Sequence, residues 1–275
     1  MGALKFLANN RKVVRYGSCS GRGLVINGGG GMAFGWGGLA VLQAHLERGA
    51  REVVVLPSSF QGEAALLRIR NTLLERRTPV TLFARERTSY QRLSATVGPY
   101  ARVELAHDMA LYLTRTDLGM PNKIKSGRPY MLVVERQDAE ASTATRPPCA
   151  WHVPFKRAIP VTIKRPIKRI LLGRTHVESS YLDNCQRFAR SRGYSCKTVV
   201  HQDVSQTSIY SFRHFLRCVA GAEIVFTTRL HVAILRHLLG LPCYLQPTGG
   251  AYAKNEDVYA HSLRQAGYVK LLDLS

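Results

Sequence analysis

Acidic residues are scarce in this chain of 275 residues, in which 18 Asp and Glu stand against 39 Lys and Arg and leave a formal charge of +21. This excess predicts anionic partners, and phosphorylated metabolites, acidic glycans, anionic lipid surfaces and nucleic acids all carry suitable charge. Hydrophobic residues still make up 45% of the chain, which excludes a disordered basic tail because such a tail cannot bury enough apolar surface. Aromatic residues are only 8% of the chain and the basic residues are dispersed, which disfavours a nucleic-acid-binding surface.

Cysteine pairs, long apolar runs and a secretory leader are also missing. The six cysteines form no CxxC pair and no Cys/His cluster with zinc spacing, so we predict no metal site. No run approaches the roughly 18 apolar residues that a membrane-spanning helix needs. Because the first residues lack the apolar core of a secretory signal, we expect a cytoplasmic protein, either free or bound peripherally at the inner face of the membrane.

Short β-rich runs alternate with amphipathic stretches along most of the chain. This alternation predicts parallel βαβ units. The predicted elements include strands at 52–57, 167–173 and 196–201 and helices at 229–240 and 255–267. Glycines such as Gly193, Gly240 and Gly267 mark the expected helix ends. The basic stretch 141–166 interrupts the alternation, and we interpret it as an interdomain connector. We therefore predict an α/β fold of two Rossmann-like domains that face each other across a cleft. The N-terminal domain is expected in residues 1–150 and the C-terminal domain in residues 167–275.

The segment from Thr227 to His231 is the most informative candidate site, because a predicted strand there gives way to a helix. Ligands of α/β sheets bind outside the carboxyl ends of the strands, where helix N-termini attract anions. We expect Thr228 to cap the helix. Arg229 supplies a guanidinium matched to carboxylate or phosphate, and His231 exchanges a proton near neutral pH. An ordinary surface charge is the structural alternative for each side chain.

Two other segments meet the same condition. Arg136 directly follows the predicted strand 130–135, which we assign to the N-terminal domain, so Arg136 and Arg229 are expected to grip one ligand from opposite walls. The glycine turn 28–31 permits close approach of a ligand to the backbone, although it is equally interpretable as a tight strand-to-helix turn. A dinucleotide site is disfavoured, because no acidic residue follows the next strand.

Residues 223–242 (EIVFTTRLHVAILRHLLGLP), followed by Lys254 and Asn255, resemble the signature of the polysaccharide pyruvyl transferases. Members of that family carry a strand, then Arg-Leu-His, a small apolar helix and Gly-x-Pro. Further segments resemble the family in the same order: the glycine turn 28–31, VVVLPSSFQG (53–62), Arg85-Glu86 with Ser89-Tyr90, Asp108, and Arg136-x-Asp138. The resemblance covers roughly residues 23–258.

The resemblance implies a transferase that moves pyruvate from phosphoenolpyruvate, as a ketal, onto two hydroxyls of a sugar in a cell-surface or secreted polysaccharide. It also implies a two-domain fold similar to the GT-B glycosyltransferases, with phosphoenolpyruvate bound between the domains. By motif, Arg136 and Arg229 hold the phosphate and carboxylate, His231 is the acid/base catalyst, and Leu230 lines the pocket. The other predicted substrate-binding residues are Gly29, Gly30, Gly31 and Lys254. No metal or organic cofactor is required besides the donor, and the saccharide acceptor is free or carried on a lipid.

The chain departs from the family pattern after the glycine turn. Family members place an acid there, in an Asn-x-Gly-Asp-like stretch, whereas this chain has Met32-Ala33-Phe34-Gly35. Either another group supplies the carboxylate, with Asp108 and Asp138 as candidates, or the activity is altered or lost. We interpret Arg85-Glu86 as a structural ion pair.

Two alternative functions stay open at this point. A GT-B-like glycosyltransferase using a nucleotide sugar ranks second, because no Glu-rich nucleotide-ribose motif appears near the C-terminal helices. A catalytically degenerate homologue that binds anions or nucleic acid is the third interpretation. The dispersed basic residues form either a solvated face or a surface that docks on an anionic membrane leaflet.

Overall fold

The computed structural model describes residues 23–26, 28–29, 32, 37–75, 78–120, 129–136, 180–194, 196–204, 210–248 and 253–272. The strands in these ranges are β1 Gly23–Ile26, β2 Glu52–Ser58, β3 Val80–Ala84, β4 Arg102–Leu105, β5 Tyr130–Val134, β6 Thr198–His201, β7 Ile224–Thr227, β8 Cys243–Leu245 and β9 Val269–Leu271. The α-helices are α1 Gly37–Glu47, α2 Glu63–Leu74, α3 Arg87–Val97, α4 Ser180–Ser191, α5 Phe212–Gly221, α6 Leu230–Leu239 and α7 Lys254–Val258. The predicted α/β class is confirmed, and both sheets are parallel.

The first sheet has the strand order β1-β2-β3-β4, and every neighbouring pair is parallel. Its inner strands are rich in branched apolar residues, as expected where helices cover a parallel sheet. Val53, Val55 and Leu82 are completely buried. Apolar residues of α1, α2 and α3 join them in one core, to which α1 contributes Leu39 and α2 contributes Ile69. This packing leaves the carboxyl ends of the four strands at one edge.

The second sheet has the strand order β6-β5-β7-β8-β9 and is also parallel. Strand β5 lies between β6 and β7, and its residues 131–134 are all buried. The prediction that this strand belongs to an N-terminal domain is therefore wrong. A run of buried apolar residues identifies a central strand, but it does not identify the partners of that strand.

The chain divides into two compact units. Among the described residues, one unit comprises those up to Leu113 with Asp257–Ser262, and the other comprises Thr114–Glu256 with the described residues from Leu263. The change of unit comes between β4 and β5, which corrects the predicted boundary at residues 150–167. The connector 141–166 and the predicted strand 167–173 lie outside the described residues. That two Rossmann-like domains face each other across a cleft stays a prediction.

The helix ends follow the glycine signals. Gly193, Gly240 and Gly267 have φ angles of 80°, 66° and 72°, which confirms the predicted C-terminal glycines. The helix predicted over 255–267 is irregular, because α7 continues into a π-helical turn at Tyr259–Leu263 and a 3-10 turn at Arg264–Ala266. Within the described residues, no helix has the length and apolar character needed to cross a bilayer.

Candidate active site

Two neighbouring strands of the second sheet bring Arg136 and Arg229 to the same edge. In the parallel register, Val134 of β5 pairs with Thr227 of β7, and each arginine follows its strand by two residues. The Arg136 backbone N–H donates to Thr228 Oγ1 at 2.7 Å. The expectation that the arginines grip a ligand from opposite walls is therefore wrong, because both belong to one sheet and their backbones are neighbours.

Hydroxyl groups fix the backbone where β7 gives way to α6. The Arg229 N–H donates to Thr227 Oγ1 at 2.9 Å. Arg229 itself is the N-cap residue of α6, with φ −102° and ψ 118°. The prediction that Thr228 caps this helix is wrong, because its hydroxyl accepts from Arg136 instead.

The guanidinium of Arg229 forms a bidentate ion pair with Asp203. Arg229 Nε donates to Asp203 Oδ1 at 2.9 Å, and Nη2 donates to Oδ2. The Asp203 side chain is only 2% exposed and that of Arg229 14%. Asp203 follows β6, so three adjacent strands, β6, β5 and β7, contribute charged residues to this edge. Sequence reasoning missed Asp203, although an acid just beyond a predicted strand of an acid-poor chain was an available signal.

Leu230 and His231 occupy the first turn of α6. Leu230 is buried, whereas the His231 side chain is exposed. Helix N-termini attract anions, because their first N–H groups have no partner within the helix and the helix dipole adds positive potential. The arrangement therefore combines an exposed imidazole with an anion-attracting helix end.

Asn255 joins the start of α7 to the ends of β7 and β8. Its Nδ2 donates to Thr228 O at 3.2 Å and to Gln246 O at 2.9 Å, and its N–H donates to Thr248 Oγ1 at 2.9 Å. Lys254, the neighbour of this buried asparagine and the first residue of α7, is half-buried. The predicted binding residue Lys254 is thus the chain neighbour of Asn255, which is bonded to Thr228, the residue before Arg229.

Charged side chains of both signs belong to these segments. Arg136, Arg229 and Lys254 are the cations, and Asp203, Glu135 and Glu256 are the carboxylates. Glu135 lies 3.1 Å from His201 Nε2, and Glu256 Oε2 accepts from the Thr248 N–H at 2.9 Å. The two guanidinium groups are suited to a small anion such as a carboxylate or phosphate. Among the residues that the structure describes, there is no group of three or more side chains suited to a metal ion.

Gly28 and Gly29 of the glycine turn follow β1, and Gly29 forms a parallel bridge with Ser58. The Gly29 N–H donates to Pro57 O and the Ser59 N–H donates to Gly29 O, both at 3.0 Å. A Cβ on Gly28 would lie 2.4 Å from Pro57 O, so only glycine fits there. Gly29 has a φ of 113°, a conformation that side chains disfavour. Both glycines thus have a structural role. Gly30 and Gly31 lie outside the described residues, and ligand binding by the turn stays a prediction.

A buried charged cluster lies at the carboxyl edge of the first sheet. Arg85 Nη1 donates to Asp108 Oδ2 at 2.6 Å, and Arg85 Nε donates to Ser59 Oγ at 2.8 Å and to Glu86 Oε1 at 3.2 Å. Asp108 Oδ1 also accepts from the Ala110 N–H at 3.0 Å. This burial supports the interpretation of Arg85-Glu86 as a structural pair, and it ties Asp108 into the same network. The other acid candidate, Asp138, lies outside the described residues.

Taken together, the fold and this edge define an α/β protein whose candidate ligand is a small anion. The profile of the polysaccharide pyruvyl transferases matches residues 4–245, which is most of the chain. The chain therefore belongs to the polysaccharide pyruvyl transferase family, as its motifs predict.

A solved structure supports the fold. The chain is similar to a functionally uncharacterized protein of Klebsiella pneumoniae, at 20% identity and a TM-score of 0.56, over 96% of this chain and 79% of that one. A UDP-GlcNAc 2-epimerase of Methanocaldococcus jannaschii aligns over 92% of this chain and 89% of that one, at 12% identity and a TM-score of only 0.30. No curated protein matches the chain.

Proposed function

We propose that the protein transfers pyruvate from phosphoenolpyruvate onto a sugar of a polysaccharide, as a cyclic ketal. The proposal rests on the family and on one geometric observation. Arg136 and Arg229 follow adjacent strands of one sheet. The Arg136 N–H donates to Thr228 Oγ1 at 2.7 Å, and this bond joins the backbone at Arg136 to the residue before Arg229.

Phosphoenolpyruvate carries a phosphate and a carboxylate on a three-carbon frame, and such a compact anion needs several fixed cations. We assign its two anionic groups to Arg136 and Arg229, with Lys254 and the N-terminus of α6 adding positive potential. Leu230 lines the proposed pocket. The donor is bound without a metal ion or organic cofactor in this proposal.

His231 is the proposed acid/base residue, because its imidazole is exposed at the start of α6, two residues after Arg229. The imidazole takes the proton of the first sugar hydroxyl, and an equivalent proton reaches C3 of phosphoenolpyruvate, which makes C2 electrophilic. The oxygen of that hydroxyl bonds to C2. The second hydroxyl then bonds to C2 as the C2–O bond to phosphate breaks, and its proton leaves with phosphate. General acid/base catalysis of this kind contributes about 10²–10⁴-fold in rate.

The acceptor sugar belongs to a polysaccharide, as the family implies. We propose that it is presented in the cytoplasm, either free or on a lipid at an anionic membrane surface. The net charge of +21 supports this surface, because anionic headgroups attract Lys and Arg side chains.

The direct test supplies [2-¹³C]phosphoenolpyruvate with candidate saccharides, and measures phosphate release together with the ¹³C signal of a ketal carbon on the sugar. We expect both signals with the wild-type protein and a loss of at least about 100-fold in rate for His231→Ala. His237→Gln is the matched control, because His237 lies in the last turn of the same helix. Wild-type turnover in His231→Ala would remove the role of His231. Thermal protection by a nucleoside diphosphate and not by phosphoenolpyruvate would favour a glycosyltransferase instead.

A further inference from the structure

We propose that Asp203 is a positioning residue that fixes the guanidinium of Arg229 for the phosphate or carboxylate of phosphoenolpyruvate. This inference rests on the proposed function, since it concerns the same anion site. Asp203 follows the short strand β6 and belongs to none of the motifs that resemble the family.

The geometry of the ion pair supports this role. Two bonds, from Nε to Oδ1 at 2.9 Å and from Nη2 to Oδ2, fix both the position and the plane of the guanidinium. The carboxylate is 2% exposed, so solvent competes little for either bond. The backbone of Arg229 is fixed as well, because its N–H donates to Thr227 Oγ1 at 2.9 Å. Arg229 is therefore held at both ends of its side chain.

Chemistry explains how one arginine can serve both a buried acid and a substrate. A guanidinium has five N–H donors in a rigid fork, and the bidentate pair with Asp203 engages one edge of that fork. The donors of Nη1 belong to another edge. An arginine already fixed in orientation loses less conformational entropy when it binds an anion, and this preorganisation strengthens binding.

The direction of the effect separates positioning from simple electrostatics. Asp203 is negative, so its removal near an anion site should by itself tighten the binding of phosphoenolpyruvate. If Asp203 instead acts by orienting Arg229, its neutralisation should weaken binding. The two explanations thus predict opposite changes in Kd.

The experiment measures the Kd of phosphoenolpyruvate alone by isothermal titration calorimetry, which needs no acceptor. We expect Asp203→Asn to weaken binding about 10-fold, a change typical of a lost orienting partner. Asp117→Asn is the matched control, because Asp117 is an exposed acid of the same unit, and its Oδ2 accepts from the Thr114 N–H at 2.8 Å. In the Arg229→Met background, Asp203→Asn should cause no further weakening, since the two residues act as one.

Chemical rescue covers the case in which Asp203→Asn leaves Arg229 buried without its partner and the protein unfolds. Guanidinium ion at low millimolar concentration should restore binding to Arg229→Ala, and it should fail to do so in Arg229→Ala/Asp203→Asn. Unchanged or tighter binding in Asp203→Asn, or equal rescue of both variants, would overturn the role of Asp203 while wild-type binding upholds the proposed donor. Absence of binding to the wild-type protein would overturn the proposed donor itself.

Discussion

Arg236 is a completely buried cation whose loss should destabilise the second unit strongly. Its Nη1 donates to Val219 O at 3.0 Å and to Ala222 O at 2.9 Å, and its Nη2 donates to Glu223 O at 3.1 Å and to Pro242 O at 2.7 Å. Burial lowers its pKa to about 10, so the side chain remains charged at neutral pH. The guanidinium therefore joins α6 to the C-terminal end of α5 and to the start of β8.

The size of the effect follows from these four carbonyl groups. A buried acceptor that loses its donor costs about 1–3 kcal/mol. The lower value is appropriate here, because a carbonyl has a second lone pair that other donors can satisfy. Arg236→Met should thus lower the free energy of unfolding by at least about 4 kcal/mol, a large part of the about 5–15 kcal/mol that stabilises a typical protein. The free energy of unfolding of Arg236→Lys should lie between those of the wild-type protein and Arg236→Met, because an ammonium group reaches fewer carbonyls.

Urea unfolding followed by circular dichroism measures this difference. Arg213→Met is the matched control, because Arg213 is exposed on α5, and we expect its unfolding midpoint to equal that of the wild-type protein. An Arg236→Met midpoint close to that of the Arg213→Met control would refute the reasoning, because it would show that these four carbonyls do not depend on the guanidinium.

Two further predictions concern the first unit. Gly28→Ala should lower the urea midpoint markedly, because the new Cβ would lie 2.4 Å from Pro57 O. Gly23→Ala is the control and should have little effect, because its nearest contact would be at 4.0 Å. Equal midpoints for the two variants would contradict the close approach at Gly28. Stability should also fall between pH 7 and 5, because burial, then His107 and Arg87, lower the pKa of His261 below 6.5 against the opposing charge of Asp257. The folded state thus binds the proton less readily than the unfolded chain. The contribution of His261 to the free energy of unfolding is therefore fully present above about pH 6.5 and decreases below that pH. His261→Asn should show a smaller decrease in urea midpoint over this range, and an identical decrease would exclude His261 as a cause.

The local pattern of the sequence predicted most helices and strands, because the apolar periodicity and the glycine stops are local signals. The helix predicted over 229–240 forms α6, and the strand predicted over 52–57 forms β2. Strand pairing is not a local signal. Nothing in residues 130–135 indicates that this strand inserts between β6 and β7, so the predicted domain assignment of Arg136 was wrong.

The candidate site was predicted only in part, because some of its residues form a local motif and others are brought together by the fold. Arg229, Leu230 and His231 form a continuous motif, which the sequence displays directly. Asp203 and Asn255 act through contacts with residues 26 and 27 positions away, and such contacts appear only once the chain is folded. Arg236 escaped notice because a basic residue in an apolar helix resembles a surface position, whereas the fold buries it.

The most direct test of the central claim is a crystal structure of the protein with phosphoenolpyruvate. We predict that the ligand lies at the carboxyl edge of the second sheet, with its anionic groups about 3 Å from the guanidinium nitrogens of both Arg136 and Arg229. Phosphoenolpyruvate bound elsewhere, or bound by only one of these two arginines, would contradict the account.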